Sequence, residues 1–152
     1  MAALQQRIAD EMKAALLGGD RFRGDLLRGL KAALLNEEVA KQKRDEGLSD
    51  AEVEAVLTRE VKKRAESATL YEQNGREDLA EPERREREII QEFLPEQMSE
   101  ADVQTVVDAK IAELGASDMS AMGQVIGAVK QQVGSAADGA LVAKLVKETL
   151  QK

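Results

Sequence analysis

The sequence predicts an all-α fold, an N-terminal body of long helices followed by a small three-helix C-terminal tail lobe. Three observations carry this expectation. Apolar residues recur three and four apart along nearly the whole chain, which lines one face of a helix. No stretch alternates apolar and polar residues as a half-buried strand does. The chain is 43% apolar and 34% charged, a combination that suits long amphipathic helices with a narrow apolar stripe and a broad wet face.

Leu4, Ile8, Met12 and Leu16 line a first helix, which Gly18-Gly19-Asp20 breaks. A second carries Leu26, Leu27, Leu30, Ala33 and Leu34, with Arg28 and Lys31 pointing the other way. The polar run from Glu37 to Glu46 is expected to continue or fray this helix as far as Gly47. Ser49 and Glu52 form a capping box, each side chain satisfying the other's backbone donor. It opens a third helix through Val53, Val56, Leu57, Val61, Ala65, Ala68 and Tyr71, stopped at Asn74-Gly75. The fourth is expected to begin between Asp78 and Pro82, because proline fits the first turn, where its missing N–H was unbonded anyway. Its apolar end is Ile89, Ile90, Phe93 and Leu94. Pro95 marks the lobe boundary, giving 1–95 and 96–152. Ser99 then caps a helix with Val103, Val106, Val107, Ile111 and Leu114, closed by Gly115. Met119, Met122, Val125, Ile126 and Val129 mark the next, closed by Gly134. Asp138 caps the last, with Leu141, Val142, Leu145, Val146 and Leu150.

Composition narrows the function classes. The absence of Cys excludes disulfides and thiolate metal sites. No apolar run approaches the roughly 20 residues needed to span a bilayer. Asp10 and Glu11 lie in the first helical pattern, unlike a signal or transit peptide, so the cytoplasm is the expected compartment. A net charge of −7 argues against indiscriminate nucleic-acid binding and leaves room for a local basic patch.

With neither His nor Cys, the commonest general base and the strongest nucleophile are missing. Ser67, Ser99, Ser117, Ser120 and Ser135 have no His to activate them, and sit mostly at caps and turns. Carboxylates are plentiful but paired at helical spacing on wet faces; Glu60 with Arg64 is one such pair, expected to contribute a few tenths of a kcal/mol. No catalytic residue, cofactor or metal site is assigned.

Two features rise above the helical background. In Met122-Gly123-Gln124-Val125-Ile126-Gly127 two glycines share a helix face, at a cost of roughly 1 kcal/mol each relative to Ala. Close packing of a neighbouring helix is the favoured offset; close approach of a ligand's backbone is the other. The second feature is Ala121 to Lys147, where Lys130, Lys144 and Lys147 face a single acid, Asp138. Lys144 and Lys147 share a face opposite the core stripe. The turn Gly134 to Gly139 offers backbone N–H groups near Asp138 to a phosphate. An ordinary solvated face is the plainer alternative. Phe22, Tyr71 and Phe93 are expected on apolar stripes, so any RNA contact reads backbone and shape rather than stacked bases.

These segments resemble the YqeY family over nearly the whole chain. The resemblance rests on Leu27-Arg28-Gly29-Leu30-Lys31-Ala32-Ala33-Leu34 with Asn36 and Glu38; Val61-Lys62-Lys63-Arg64-Ala65-Glu66-Ser67; Asn74-Gly75-Arg76-Glu77-Asp78-Leu79; Phe93-Leu94-Pro95-Glu96-Gln97; Met122 to Gly127; and Ala137-Asp138-Gly139. Their order and spacing together are specific. YqeY proteins are similar to the C-terminal helical and tail region of GatB, the glutamine-dependent aspartyl/glutamyl-tRNA amidotransferase subunit, whose tail contacts tRNA and whose chemistry lies in a separate N-terminal domain. The family often has a basic residue where Gln124 and Ala136 stand here.

The resemblance implies a tRNA-binding accessory module, without the catalytic domain. Its tail residues Gly123, Gly127, Lys130, Asp138, Gly139, Lys144 and Lys147 would touch the backbone of tRNA or another structured RNA. A second expectation is an adaptor that docks an amidotransferase or an aminoacyl-tRNA synthetase through Arg28, Lys62, Arg64 and Arg76, which could equally form structural ion pairs with Glu66 or Asp78. A third is carbon–nitrogen ligase activity with glutamine as amido donor, which the family association alone suggests.

Overall fold

The computed structural model describes residues 2–152. It is all-helical: α1 (Ala3–Leu17), α2 (Arg21–Ala40), α3 (Asp50–Gln73), α4 (Glu77–Gln91), α5 (Glu100–Leu114), α6 (Met122–Val133) and α7 (Gly139–Leu150), with short 3-10 turns at Met119–Ala121 and Gly134–Ala136. Among the described residues there is no strand. The chain forms two compact units, one ending at Leu94 and one spanning Pro95–Lys152.

In the first unit, α1–α2 and α3–α4 are two helical hairpins that share one core. Ile8, Leu27, Leu30, Leu34, Leu57 and Ile90 are fully enclosed there, each contributing about 1.5–3 kcal/mol by leaving water. Beyond Val61 the α3–α4 hairpin is held differently. Ala68 and Ala80 are buried, and their small side chains let the two helices approach closely. Around them run ion pairs, from Arg84 to Glu72 and Glu77 and from Arg64 to Glu60 and Glu86.

Several helix ends fall where the sequence indicates. The Ser49–Glu52 capping box is complete, Ser99 accepts from Asp102 N–H, and Asp138 accepts from Ala140 N–H. Lys43 is the first cause, with Ser49 N–H and Lys41 behind it, of a Glu52 pKa lowered to about 2.

Two ends differ from expectation. α2 stops at Ala40 rather than running toward Gly47. Gln42 takes φ 57°, and Lys43 N–H and Gln42 N–H return to the carbonyls of Glu38 and Val39. This is the Schellman closure usually made by glycine, as at Gly75 after α3 (φ 69°). The second correction concerns Pro82. α4 starts at Glu77, so Pro82 is its sixth residue and lies beyond the first turn. The Leu79 and Ala80 N–H groups both reach the Arg76 carbonyl, which starts the helix early and turns Ala80 into the interface. The carbonyl of Asp78 thereby loses its normal i+4 donor.

The second unit packs α5, α6 and α7 around Val103, Val107, Val125, Val129, Val142, Leu145 and Val146. Gly115 ends α5 in the left-handed conformation.

Candidate nucleic-acid interface

The corner where α6 meets α7 is built by three constraints. Gly134 adopts φ 55°, ψ −133°, a conformation that side chains resist, and so turns the chain sharply after Val133. The extended segment after Pro95 then ties that turn down: Gln97 Nε2 donates to the Ser135 carbonyl at 2.9 Å, and Met98 N–H to the Ala136 carbonyl at 2.7 Å. Asp138 finally starts α7 by capping it. Gln97 was not among the residues expected here. No local rule marked it, since its partner Ser135 lies 38 positions away.

Lys130 lies in the last turn of α6 with its ammonium against Gly139. A Cβ at position 139 would stand 3.3 Å from Lys130 Cε and 3.4 Å from Nζ, so the missing side chain makes the room. The lysine therefore adds charge beside the positive end of α7. Lys144 and Lys147 are exposed on α7, opposite the buried Val142, Leu145 and Val146. From Gly139 they lie about 7.5 Å and about 12 Å along the axis. None of the three lysines forms an ion pair among the described residues. The acids nearest in sequence are Asp138, whose carboxylate caps α7, and Glu148, exposed one turn beyond Lys144.

The glycine pair requires a correction. Gly123 and Gly127 are exposed, and nothing lies within 4 Å of where a Cβ would stand on either. Packing of a neighbouring helix, the favoured explanation from sequence, does not account for them; α6 buries its Val125–Val129–Val133 stripe instead. The glycines leave a bare backbone surface one to two turns before Lys130. The start of α7 is less open to an anion than the turn suggested, because Asp138 already occupies the Ala140 N–H and sets a negative charge there.

The four residues considered for a protein-docking surface do not share one environment. Arg28 is exposed, 3.8 Å from Asp25. Lys62 is exposed without an ion pair among the described residues. Arg76 grips Asp78 through Nε and Nη2 at 3.1 and 3.0 Å. Arg64, two positions from Lys62 and so on another face of α3, donates to Glu60 and Glu86 with its side chain only 16% exposed. Burial opposes its charge, and the two carboxylates overcome that and raise its pKa. The Glu60–Arg64 pair is thus semi-enclosed within α3, with Arg64 also bridging to Glu86 on α4, and is not the solvated surface pair expected. The rings also depart in part. Phe93 is buried beneath Arg7, 4.6 Å from its centroid, whereas Phe22 is half-buried under Arg85 at 4.2 Å. Tyr71 is half-buried.

No helix among the described residues is long and apolar enough to cross a membrane, and none of their carboxylates cluster as a metal site. Three curated fungal proteins named altered inheritance of mitochondria protein 41, mitochondrial, are similar to this chain. The Lachancea thermotolerans protein is 30% identical over 72% of this chain and 59% of its own length. For Kluyveromyces lactis the figures are 29%, 74% and 62%, and for Clavispora lusitaniae 30%, 60% and 52%. The chain thus spans between half and two thirds of these relatives. Residues 5–150 match the family described as Yqey-like protein, and with nearly its whole length so accounted for, the chain belongs to the YqeY-like family.

Proposed function

We propose that the protein is a tRNA-binding accessory module whose C-terminal unit contacts the sugar-phosphate backbone of structured RNA. The observation that carries this reading is that Lys130, Lys144 and Lys147 are exposed and form no ion pair among the described residues, while Gly123 and Gly127 leave bare helix backbone on α6. Unpaired cations attract phosphates without first losing a carboxylate partner. The bare glycine surface lets a bulky backbone come close. Gln97 and Gly134 hold the α6–α7 corner in shape. The similarity of YqeY proteins to the GatB tail supports RNA, and tRNA in particular, as the ligand.

The test is tRNA binding by the full chain at about 50 mM and about 200 mM salt. Lys130→Glu combined with Lys147→Glu is expected to lower affinity at least about tenfold at the lower salt. No binding by the wild type at low salt defeats the proposal. The proposed compartment is the cytoplasm; the fungal relatives carry "mitochondrial" in their names. A second reading, an adaptor for an amidotransferase or synthetase, draws on the exposed Arg28 and Lys62. It predicts a stoichiometric protein partner lost on Arg28→Glu with Lys62→Glu.

A further inference from the structure

We propose that the outer face of α2 is the contact surface of a homodimer, across which a second copy lays its own α2 antiparallel. The proposal concerns the N-terminal unit and stands apart from the RNA reading. Asp25, Arg28, Gly29, Ala32, Leu35, Asn36 and Val39 fall within an arc of about 120° on this helix, and all seven are exposed. α2 packs against α1, α3 and α4 through its other side. Leu35 and Val39 remain 48% and 54% exposed, which is a large apolar commitment to water for one helix face. Gly29 lies in the helix interior, and nothing stands within 4 Å of its missing Cβ. Inside the chain nothing calls for a glycine there or for two bulky apolar residues two to three turns on.

The stripe is polarised, and its two halves are complementary. Bulk sits in the C-terminal half, at Leu35 and Val39, and space in the N-terminal half, at Gly29 and Ala32. A two-fold axis pairing position 32 with 35 sets Leu35 and Val39 of each copy over Gly29 and Ala32 of the other, knobs into holes in both directions. The same rotation keeps like charges apart. Arg21, Asp25, Arg28 and Lys31 carry the charge of the N-terminal half, with Arg28 beside Asp25, while positions 32, 35, 36, 39 and 40 are uncharged. A parallel copy would stack Leu35 on Leu35 and Arg28 on Arg28. An acidic helix from another protein would meet the cations but leaves the bulk-and-space division unexplained. In the antiparallel register the two copies of α2 overlap over positions 27–40, about 21 Å of helix, at the small end of specific interfaces, so a micromolar or weaker dimer is expected.

Sedimentation of the full chain between about 1 μM and about 1 mM tests this. The wild type is expected to pass from monomer to dimer, and Leu35→Glu to weaken dimerisation at least tenfold. Gly29→Ala is the diagnostic variant: its methyl enters open space in the single chain and raises the melting temperature, yet fills the hole that receives Leu35 and weakens the dimer several-fold. Because the protein has no Cys, Ala32→Cys should cross-link two copies through a short bismaleimide far faster than Lys13→Cys on α1. A monomer at the highest concentration, dimerisation indifferent to Leu35→Glu, or equal cross-linking at the two positions overturns the proposal.

Discussion

Gly127→Ala, alone and with Gly123→Ala, separates the stability of α6 from its use. Gly127 is the sixth residue of a twelve-residue helix, so alanine removes a full interior penalty of about 1 kcal/mol. Gly123 is second, in the first turn, and contributes roughly half as much. No clash is subtracted, since neither Cβ meets anything within 4 Å. The double variant should therefore be about 1–1.5 kcal/mol more stable. For a unit of this size that is several degrees in melting temperature. Denaturant unfolding followed by helical circular dichroism, with hydrogen exchange of the α6 amides, measures the gain. Filter binding of tRNA measures the cost, expected as a several-fold loss with all three lysines intact. A double variant no more stable than wild type refutes the exposed-helix reasoning. Greater stability with unchanged binding refutes the role given to the bare backbone.

Four further outcomes follow from particular residues. Pro82→Ala restores the donor for the Asp78 carbonyl in α4 and should raise stability by about 1–3 kcal/mol, measured by denaturant midpoint, after allowing for the looser unfolded chain. Gln42→Gly relieves the left-handed residue after α2 and should gain about 0.5–1 kcal/mol in the same assay, where a loss would mean that the Gln side chain matters. Arg64→Met leaves Glu60 and Glu86 without their shared partner and should cost about 1–3 kcal/mol, whereas Lys62→Met on the wet face should stay within about 0.5 kcal/mol. Glu52 has a folded pKa of about 2 against an ordinary 4.5, so its contribution to holding α3 is fully present above about 4.5 and disappears as pH falls toward about 2. Acid titration of helicity should show that loss, and Glu52→Gln should flatten it.

Local signals in the sequence carried much of this architecture. Apolar residues at helical spacing and caps such as Ser49, Ser99 and Asp138 act within a few residues, so their outcome can be read without knowing the fold. Where tertiary packing competes with a local preference, sequence is a weaker guide. Pro82 marks a helix start by its own chemistry, but Ala80 is buried against α3 and draws the helix past it. Gln42 is a poor left-handed residue, yet the closing hydrogen bonds to Glu38 and Val39 outweigh its preference. Glu60–Arg64 looks solvated in one dimension because Glu86 arrives from another helix. At the candidate interface, the exposure of Lys144 and Lys147 followed from the α7 stripe, since the face opposite a core stripe is wet. The open space above Gly123 and Gly127 did not, because spacing shows which residues share a face and never what stands over it. The strap from Gln97 to Ser135 joins positions 38 apart, beyond any local rule.

The number of available lysines also sets how the proposed RNA contact must behave. Three phosphate contacts on duplex RNA-like geometry give a salt slope near −2.7 on logarithmic axes, or about a 40-fold loss of affinity between 50 and 200 mM salt. That is a weak hold for a protein carrying −7 overall, because the rest of the surface repels the same phosphates. Neutral Gln124 and Ala136 add nothing to it. Tight binding at physiological salt therefore requires a second source of attachment, either a protein partner or a second tail. If the α2 dimer brings two tails to one RNA, six lysines double the slope to about −5.4 and the loss over the same interval rises to about 2,000-fold. Leu35→Glu should then return the steep slope to the shallow one without touching any lysine. A slope near −2.7 in both proteins would mean that each tail acts alone, and a slope well beyond −5.4 would mean that cations outside the α6–α7 corner reach the RNA.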